Sequence, residues 1–450
     1  MTQQFDLVCI GTGSAASTVA SQCRAAGWSV AVVDKRPLGG TCVLRGCDPK
    51  KVLVGAADAV DWIRRMNGKG VTQNGVGIDW PTLMRFKRTF TEPVPEARRN
   101  SFHQAGIAAF HGAARFTGPA SLQAGDDLLE ARRFVIAAGM RPATLGIPGE
   151  HLVTISDGFL DLDALPPRIV FIGGGYISME FAHLAAIAGA QTTVVHRGPR
   201  PLDGFDPDLV ALLMEGMREK GITLHLEARA GSVEVHDGAL RLKASRAAGE
   251  FYLDADLIVH GAGRVPEIDD LDLQAAGVEW DRRGVRVNEY LQSVSNPAVY
   301  AAGDAAGSGN PALTPLAGYE GRVVAANLLH GNHQTARPGA VPTVAFTIPP
   351  IASVGLREDQ ASAGGIRFRK TFGSTEGWYS SRRIAEPRSG FKILIDDAAD
   401  EIVGAHLFGH HADELINLFA LAVQKKIRAS DLRKTLFAYP THASNIQYML

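Results

Sequence analysis

The stretch FDLVCIGTGSAASTVASQCRAAGWSVAVVDKR, residues 5–36, reads as strand, glycine-rich turn, helix and second strand. Apolar Leu7 to Ile10 runs into Gly11-Thr12-Gly13-Ser14-Ala15-Ala16, and Val30 to Val33 ends at Asp34. Gly11 permits a tight turn and Gly13 lets backbone approach a pyrophosphate. Ala16, in the third slot, lets the helix pack closely on the strand. Asp34 is placed to accept hydrogen bonds from ribose hydroxyls. The strand–turn–helix–strand context and the terminal Asp together predict a dinucleotide site. Cys9 and Cys23 lie inside this unit and read as small buried apolar residues.

Immediately downstream comes GGTCVLRGCDPKK, residues 39–51. Residues five apart on a regular helix face different ways, whereas a disulfide needs Cα atoms roughly 4.4–6.8 Å apart. If Cys42 and Cys47 pair, the chain between them must be a distorted turn entering a helix, and Gly46 is the residue that permits it. A structural bridge, a zinc site and a redox-active pair compete for these cysteines. Cytosolic proteins rarely keep structural bridges, and zinc wants about four ligands. Lys50, Lys51 and a helix N-terminus would favour a thiolate, so the redox reading fits best.

A second strand–turn–helix–strand unit, IVFIGGGYISMEFAHLAAIAGAQTTVVHRGPR, spans residues 169–200. It repeats the pattern with Gly173, Gly175 and Ser178. Two such units on one chain imply two nucleotides and electron passage between them. Where Asp34 closes the first unit, His196 closes the second, followed by Arg197 and Arg200. A carboxylate favours a free ribose hydroxyl, and arginines accommodate a 2′-phosphate. The reading is NADPH over NADH.

The remaining segments place these units in a larger plan. Residues 52–110 read as helices broken near Asn67 to Gly77, with lone His103 and His111 taken as structural. FVIAAGMRP (134–142) opens as an apolar strand ending in Ala138-Gly139, LIVHGAGRVP (257–266) echoes it, and VYAAGDAAG (299–307) ends a strand at Gly303-Asp304. LTPLAGYEGRVVAANLL reads as a packing helix. Residues 340–450 carry strands and the amphipathic DELINLFALAVQKKI, with no nucleotide pattern. The fold class is therefore α/β, with two Rossmann-like dinucleotide-binding domains and a C-terminal α+β domain. Expected boundaries are 1–160 and 266–338 for the two parts of the first domain, 161–265 for the second and 339–450 for the last, with DLDALPPR (161–168) as a link. A formal charge of −1 gives no basis for nucleic-acid or acidic-membrane binding. Four cysteines in 450 residues exclude a disulfide-built scaffold. No apolar run of about 20 residues predicts a membrane span. The opening MTQQFDLVCIG lacks a basic leader, so a cytoplasmic protein is expected.

Laid side by side, the motifs resemble the flavoprotein disulfide reductase family, which includes glutathione reductase, dihydrolipoamide dehydrogenase and mercuric reductase. The resemblance runs through the first glycine turn with Asp34, GGTCVLRGCDPKK, GMRP, GGGYISMEFA, GAGRVP, AAGDAAG, IASVGL and GAHLFG. It implies FAD in the first unit, a nicotinamide in the second, a homodimer with the active site at the subunit interface, and a small-molecule acceptor. By position, Cys42 would be the interchange thiol and Cys47 the thiolate against the flavin. Lys50 would stabilise charge near the flavin, oriented by Glu180. Tyr176 would cover the flavin until nicotinamide arrives. The resemblance further implies cofactor contacts from Gly11, Gly13, Ser14, Ala15, Ala16, Asp34, Lys35, Gly40, Thr41, Lys50, Ala113, Ala138, Gly139, Asp304 and Thr314 for FAD. For the nicotinamide it implies Gly173, Gly175, Tyr176, Ile177, Glu180, Arg197, Arg200 and Gly263. No resident metal is expected.

The chain departs from the family where its acid/base histidine and orienting glutamate should stand. Tyr439 and Ser444 occupy those slots in Tyr439-Pro440-Thr441-His442-Ala443-Ser444. A phenol ordinarily ionises near pH 10 and is a poor base at neutral pH, so His442 is the substitute candidate. Mercuric reductases also carry a tyrosine there, which raises metal-ion or quinone reduction as an alternative, although their C-terminal cysteine pair is missing here. A redox sensor that holds both nucleotides without turnover is a further alternative. Leu44, Arg45 and Asp48 replace small or apolar residues of the family loop, and Arg45 could recognise an anionic substrate.

Overall fold

The computed structural model describes residues 2–450. The chain forms two compact units. One comprises Met1–Lys50, Phe86–Ala143 and Arg264–Pro338; the other comprises Lys51–Arg85, Thr144–Gly263 and Gly339–Leu450.

In the first unit the apolar strand β1 (Gln3–Ile10) leads through Gly11 to Gly13 into helix α1 (Ser14–Ala25) and on to β2 (Val30–Asp34). The two strands pair in parallel, Leu7 opposite Val30 and Ile10 opposite Val33. The strand Ala108–His111 extends the sheet in parallel beyond β2. On the other side of β1 lies Asp127–Ile136, followed by Ser121–Ala124 and Ala114–Gly118. The edge of Asp127–Ile136 away from β1 serves two partners in turn. Its first half pairs antiparallel with Ser121–Ala124, and Phe134 to Ile136 pair in parallel with Val299–Ala301. The helix Thr314–His330 packs on α1, and a Cβ on Gly321 would come within 2.8 Å of the Ala15 carbonyl oxygen. Both faces of the sheet are thereby covered by apolar clusters, as a mostly parallel sheet requires.

The second unit holds a four-stranded parallel sheet ordered Thr223–His225, Gln191–Val195, Arg168–Ile172 and Leu257–His260. The helix Tyr176–Ile187 is buried nearly all round. An antiparallel meander follows, Arg229–His236, Ala239–Arg246 and Gly249–Ala255. The C-terminal part is a five-stranded antiparallel sheet, Thr343–Ala345, Ile351–Gly355, Ile402–Phe408, Gly390–Asp396 and Phe368–Ser374. The amphipathic helix Ala412–Gln424 lays Leu415, Ile416 and Phe419 into its core. Among the described residues no helix is long and apolar enough to cross a membrane.

Two segments differ from the sequence expectation. The helical reading near Leu83 to Phe110 resolves into helices Trp80–Thr91 and Val94–Ala105, but Phe110 lies in a strand. Gly106, left-handed at φ 71°, ends the second helix and frees Ala108–His111 to pair with β2. In FVIAAGMRP the strand expected to run to Ala138-Gly139 ends sooner. It stops at Ile136, passes Gly139 at φ 78° and resumes as Met140–Pro142, which pairs with Arg264–Pro266.

Candidate active site

The first glycine turn is built so that no side chain fills it. Gly11 has φ 109°, and a Cβ there would collide with the carbonyl oxygen of Ala137. A Cβ on Gly40 would run into the Cα of Gly13, so the turn before α1 and the turn at Gly39–Gly40 lie back to back. Thr12 locks them together: its hydroxyl donates to Asp34 Oδ2 at 2.6 Å and accepts from the Gly39 amide at 3.0 Å. Helix α1 has no side-chain cap. The amides of Ser14, Ala15 and Ala16 therefore open towards the turn, and a bare helix N-terminus favours an anion such as a pyrophosphate. Asp34 Oδ1 accepts from the Arg36 amide at 2.9 Å, leaving lone pairs for ribose hydroxyls. These features fit a dinucleotide.

Other residues expected around this cofactor are placed as follows. Lys35 is turned to an exposed rim, ion-paired with Glu267 at 3.1 Å and Asp270 at 3.0 Å. Ala113 sits between two strands, its carbonyl oxygen accepting from Gly125. Ala138 and Gly139 form the break after Ile136. Asp304 lies in the short helix Gly303–Ala305, and burial pushes its carboxyl up, opposed by Arg264. Beneath that turn, buried Glu320 accepts from the Gly303 amide, Ser308 and Asn310, each at 2.7 Å. The sequence reading passed over Glu320; its signal was a lone carboxylate inside an apolar helix.

The cysteine loop follows directly. Helix α2 (Gly40–Arg45) carries Thr41 and Cys42; the chain breaks at Gly46 and restarts as α3 (Cys47–Arg65). A Cβ on Gly46 would lie 2.9 Å from the Thr41 carbonyl oxygen and 3.2 Å from the Cys42 Cα. Only glycine allows that approach, and the approach brings the two sulfurs together. No bond joins the two sulfurs, and both are free cysteines. Cys42 is half-buried and Cys47 exposed. Cys47 Sγ lies 3.6 Å from the hydroxyl of Thr314, the first residue of its helix. Cys42 Sγ lies 3.8 Å from Asp48 Oδ1. The Cys42 thiol is pushed well up by the hydrogen bond with Cys47, then by burial and the Asp48 charge, while Thr314 pulls it down. Lys50 is buried in the first turn of α3. A dithiol so held can cycle to a disulfide and back.

The second glycine turn repeats the first. Gly173, at φ 112°, would place a Cβ against the carbonyl oxygen of Gly261, and Gly175 caps its helix with no side-chain bond. Tyr176 is exposed and Ile177 half-buried at that N-terminus. Buried Glu180 accepts from the Phe346 amide at 2.8 Å. Gly263 has φ 114° just before Arg264–Pro266. The His196 ring lies 2.6–2.8 Å from where a Gly174 Cβ would stand, and the Leu202 amide donates to the Gly174 carbonyl at 2.8 Å. The loop 196–202 thus folds back over the turn. Arg197 is exposed, and the Nε of Arg200 is buried with no hydrogen-bond partner among the described residues. An unpaired guanidinium nitrogen beside a nucleotide turn fits an anionic group.

Tyr439 is 80% exposed, which leaves it available to a second molecule. His442 is instead packed inward. Its ring centroid lies 4.9 Å from that of His411 and 6.1 Å from that of His410. Burial, then neighbouring His411 and Arg383, bring the His442 imidazole down to about 4. Ser444 closes the turn, its hydroxyl donating to the Thr441 carbonyl at 2.6 Å. Nothing in the sequence signalled the contact among these three histidines. Among the described residues no group of three or more His, Cys, Asp and Glu is arranged to hold a metal ion.

Comparison with known proteins agrees with this geometry. The family model described as pyridine nucleotide-disulphide oxidoreductase matches residues 5–321, and that of its dimerisation domain matches 341–450. A glutathione reductase from Burkholderia cepacia is 32% identical over 447 residues, covering 98% of this chain and 97% of its own. A mercuric reductase from Bacillus cereus is 30% identical over 98% of this chain and 70% of its own. The Cu(II) complex of the HOCl-induced flavoprotein disulfide reductase RclA from Escherichia coli superposes with a TM-score of 0.89. It is 24% identical, covers 99% of each chain and shares the fold.

Proposed function

The chain belongs to the pyridine nucleotide-disulphide oxidoreductase family, FAD-dependent enzymes that use a pyridine nucleotide, and on that premise we propose a homodimeric NADPH-dependent reductase of low-molecular-weight disulfides or related sulfur species. FAD and the nicotinamide supply the hydride transfer and the relay of an electron pair. The observation that carries the reading is the dithiol folded across Gly46, with unlike surroundings for its two sulfurs. Cys47 begins α3 and touches the first residue of a second helix. Helix N-termini favour negative charge, so Cys47 is the sulfur that holds a thiolate. Cys42, beside a carboxylate, is the sulfur that keeps its proton. Cys42 attacks the acceptor, and Cys47 resolves the mixed disulfide. Tyr439, exposed on the C-terminal segment, is the group offered to the partner's dithiol.

An anaerobic titration with NADPH tests this. Two hydride equivalents consumed per subunit, with long-wavelength absorbance from a thiolate against oxidised flavin, support the dithiol as electron acceptor. Bleaching complete after one equivalent removes the cysteines from the circuit. One observation favours a second reading, reduction of a thiol-bound metal ion: Tyr439 stands in the histidine slot, and a mercuric reductase is among the relatives. Turnover with Hg(II) but not with disulfides would select it.

NADPH preference rests on the buried Nε of Arg200, without a partner among the described residues, beside the folded-back loop. Arg200→Ala, alone or with Arg197→Ala, should raise the KM for NADPH about tenfold or more, the loss of a charge-assisted contact, and leave that for NADH nearly unchanged. Equal losses for both nucleotides would remove the preference.

A further inference from the structure

We propose that Asp48 is the proton acceptor and donor for Cys42, supplied by the same subunit, when the dithiol reacts with a disulfide. The inference rests on the disulfide-reductase reading of Cys42 and Cys47 given above. Its first support is contact: the Cys42 thiol donates to Asp48 Oδ1 at 3.8 Å, within reach of a sulfur hydrogen bond. The second is exposure. Asp48 is open to solvent, so a carboxyl touching the reacting sulfur also exchanges protons with water. The third is the state of the alternatives. Position 439 holds a phenol, and the His442 Nε2 is buried with no hydrogen-bond partner among the described residues.

The loop explains how Asp48 reaches Cys42. Asp48 is the second residue of α3, and the close approach at Gly46 lays that first turn against α2. A carboxylate is at home there, because the first turn of a helix favours negative charge. Facing Cys42, the same charge disfavours a standing thiolate. Cys42 therefore reacts as a thiol that gives up its proton while bonding.

The Cys42 sulfur forms a bond to one sulfur of the substrate disulfide, the substrate S–S bond breaks, and the Cys42 proton passes to Asp48. The leaving thiolate takes that proton from Asp48. The Cys47 thiolate then attacks Cys42, closing the protein disulfide and expelling the second substrate thiolate, which takes its proton from water. The substrate disulfide gains two electrons and the dithiol loses two. General acid–base help of this kind contributes about 10²–10⁴ in rate, and a carboxylate, a weak base for a thiol, belongs at the low end.

A purely electrostatic carboxylate predicts something different, and Asp48→Asn separates the two. Pre-reduced enzyme is mixed with hydroxyethyl disulfide, and Cys42 alkylation by iodoacetamide at pH 7 is followed separately by peptide mass analysis. The asparagine variant should alkylate about tenfold faster at Cys42, because a like charge has gone. Its disulfide step should nevertheless slow about 10²-fold. Asp48→Glu should recover part of the rate. Acceleration in both assays would make Asp48 only a brake, and no change in either would leave the contact without chemistry. Cys42→Ser is the control for the premise. If it keeps the wild-type rate with hydroxyethyl disulfide, the dithiol reading itself fails, whatever Asp48→Asn does.

Discussion

Replacing Cys47 with serine should stop disulfide turnover, lowering kcat by on the order of 10³-fold or more, as removal of one member of a catalytic unit does. The two cysteines should fail differently. In Cys47→Ser, Cys42 and Asp48 are intact, 3.8 Å apart, so the attack still proceeds but the mixed disulfide has no resolving thiol. Pre-reduced Cys47→Ser should release one thiol per subunit from a simple disulfide and then halt. Pre-reduced Cys42→Ser should release almost none, since its remaining sulfur is held against Thr314. The serine at position 47 fills nearly the same volume and keeps a partner for the Thr314 hydroxyl, so loss of fold does not account for the result. Cys47 is nevertheless the more exposed of the two sulfurs in the subunit. Were it the attacking thiol, the single-thiol burst would belong to Cys42→Ser instead. The burst experiment thus decides between electrostatics and exposure as the basis for assigning roles.

The parts of this site legible in the sequence are those fixed by short stretches of chain. The turn Gly11 to Ala16 and its twin Gly173 to Ser178 are local, because each needs a strand, a left-handed glycine and a small residue at set spacing. The break at Gly46 was legible for the same reason: two cysteines five apart cannot meet on an unbroken helix. What such a break does to its neighbours was not. Asp48 reads in the sequence only as a departure, since its contact with Cys42 exists through the angle between α2 and α3. The meander from Arg229 to Ala255 also went unseen. Its strands are half-exposed, and alternation is blurred by residues such as Val235 and Tyr252 facing solvent. Phe110 was read into a helix because apolar spacing continues through it, and only left-handed Gly106 shows where the helix stops. The contact of His442 with the adjacent pair His410 and His411 is a tertiary fact with no local signature.

A second large effect is expected far from the dithiol, at Lys392. This lysine is 1% exposed on the strand Gly390–Asp396. Its ammonium lies 2.8 Å from Asp206, 2.5 Å from Asp208 and 3.5 Å from Glu358. Asp206 is itself fully buried and caps the helix Pro207–Glu219, its Oδ1 accepting from the amides of Asp208 and Leu209. Burial alone would push the lysine pKa down, but its hydrogen bonds to Asp206 and Asp208 outweigh burial and hold it above the usual 10.5. Lys392→Met removes the cation and leaves a buried carboxylate facing apolar side chains, at a cost of about 3–5 kcal/mol. Urea unfolding followed through Trp378, whose ring packs on Phe391 of the same strand, should report it. Adding Asp206→Asn should restore most of the loss, because asparagine keeps the cap and removes the orphaned charge. The pH dependence has a fixed sign. A raised lysine pKa contributes its stabilisation in full below pH 10.5 and loses it as pH climbs through the folded value. The wild type should therefore lose stability more steeply than the double variant above pH 10.5 and match its slope at neutral pH. A loss below about 1 kcal/mol for Lys392→Met is what a solvated surface pair would give, and it would show that water reaches this ammonium in solution.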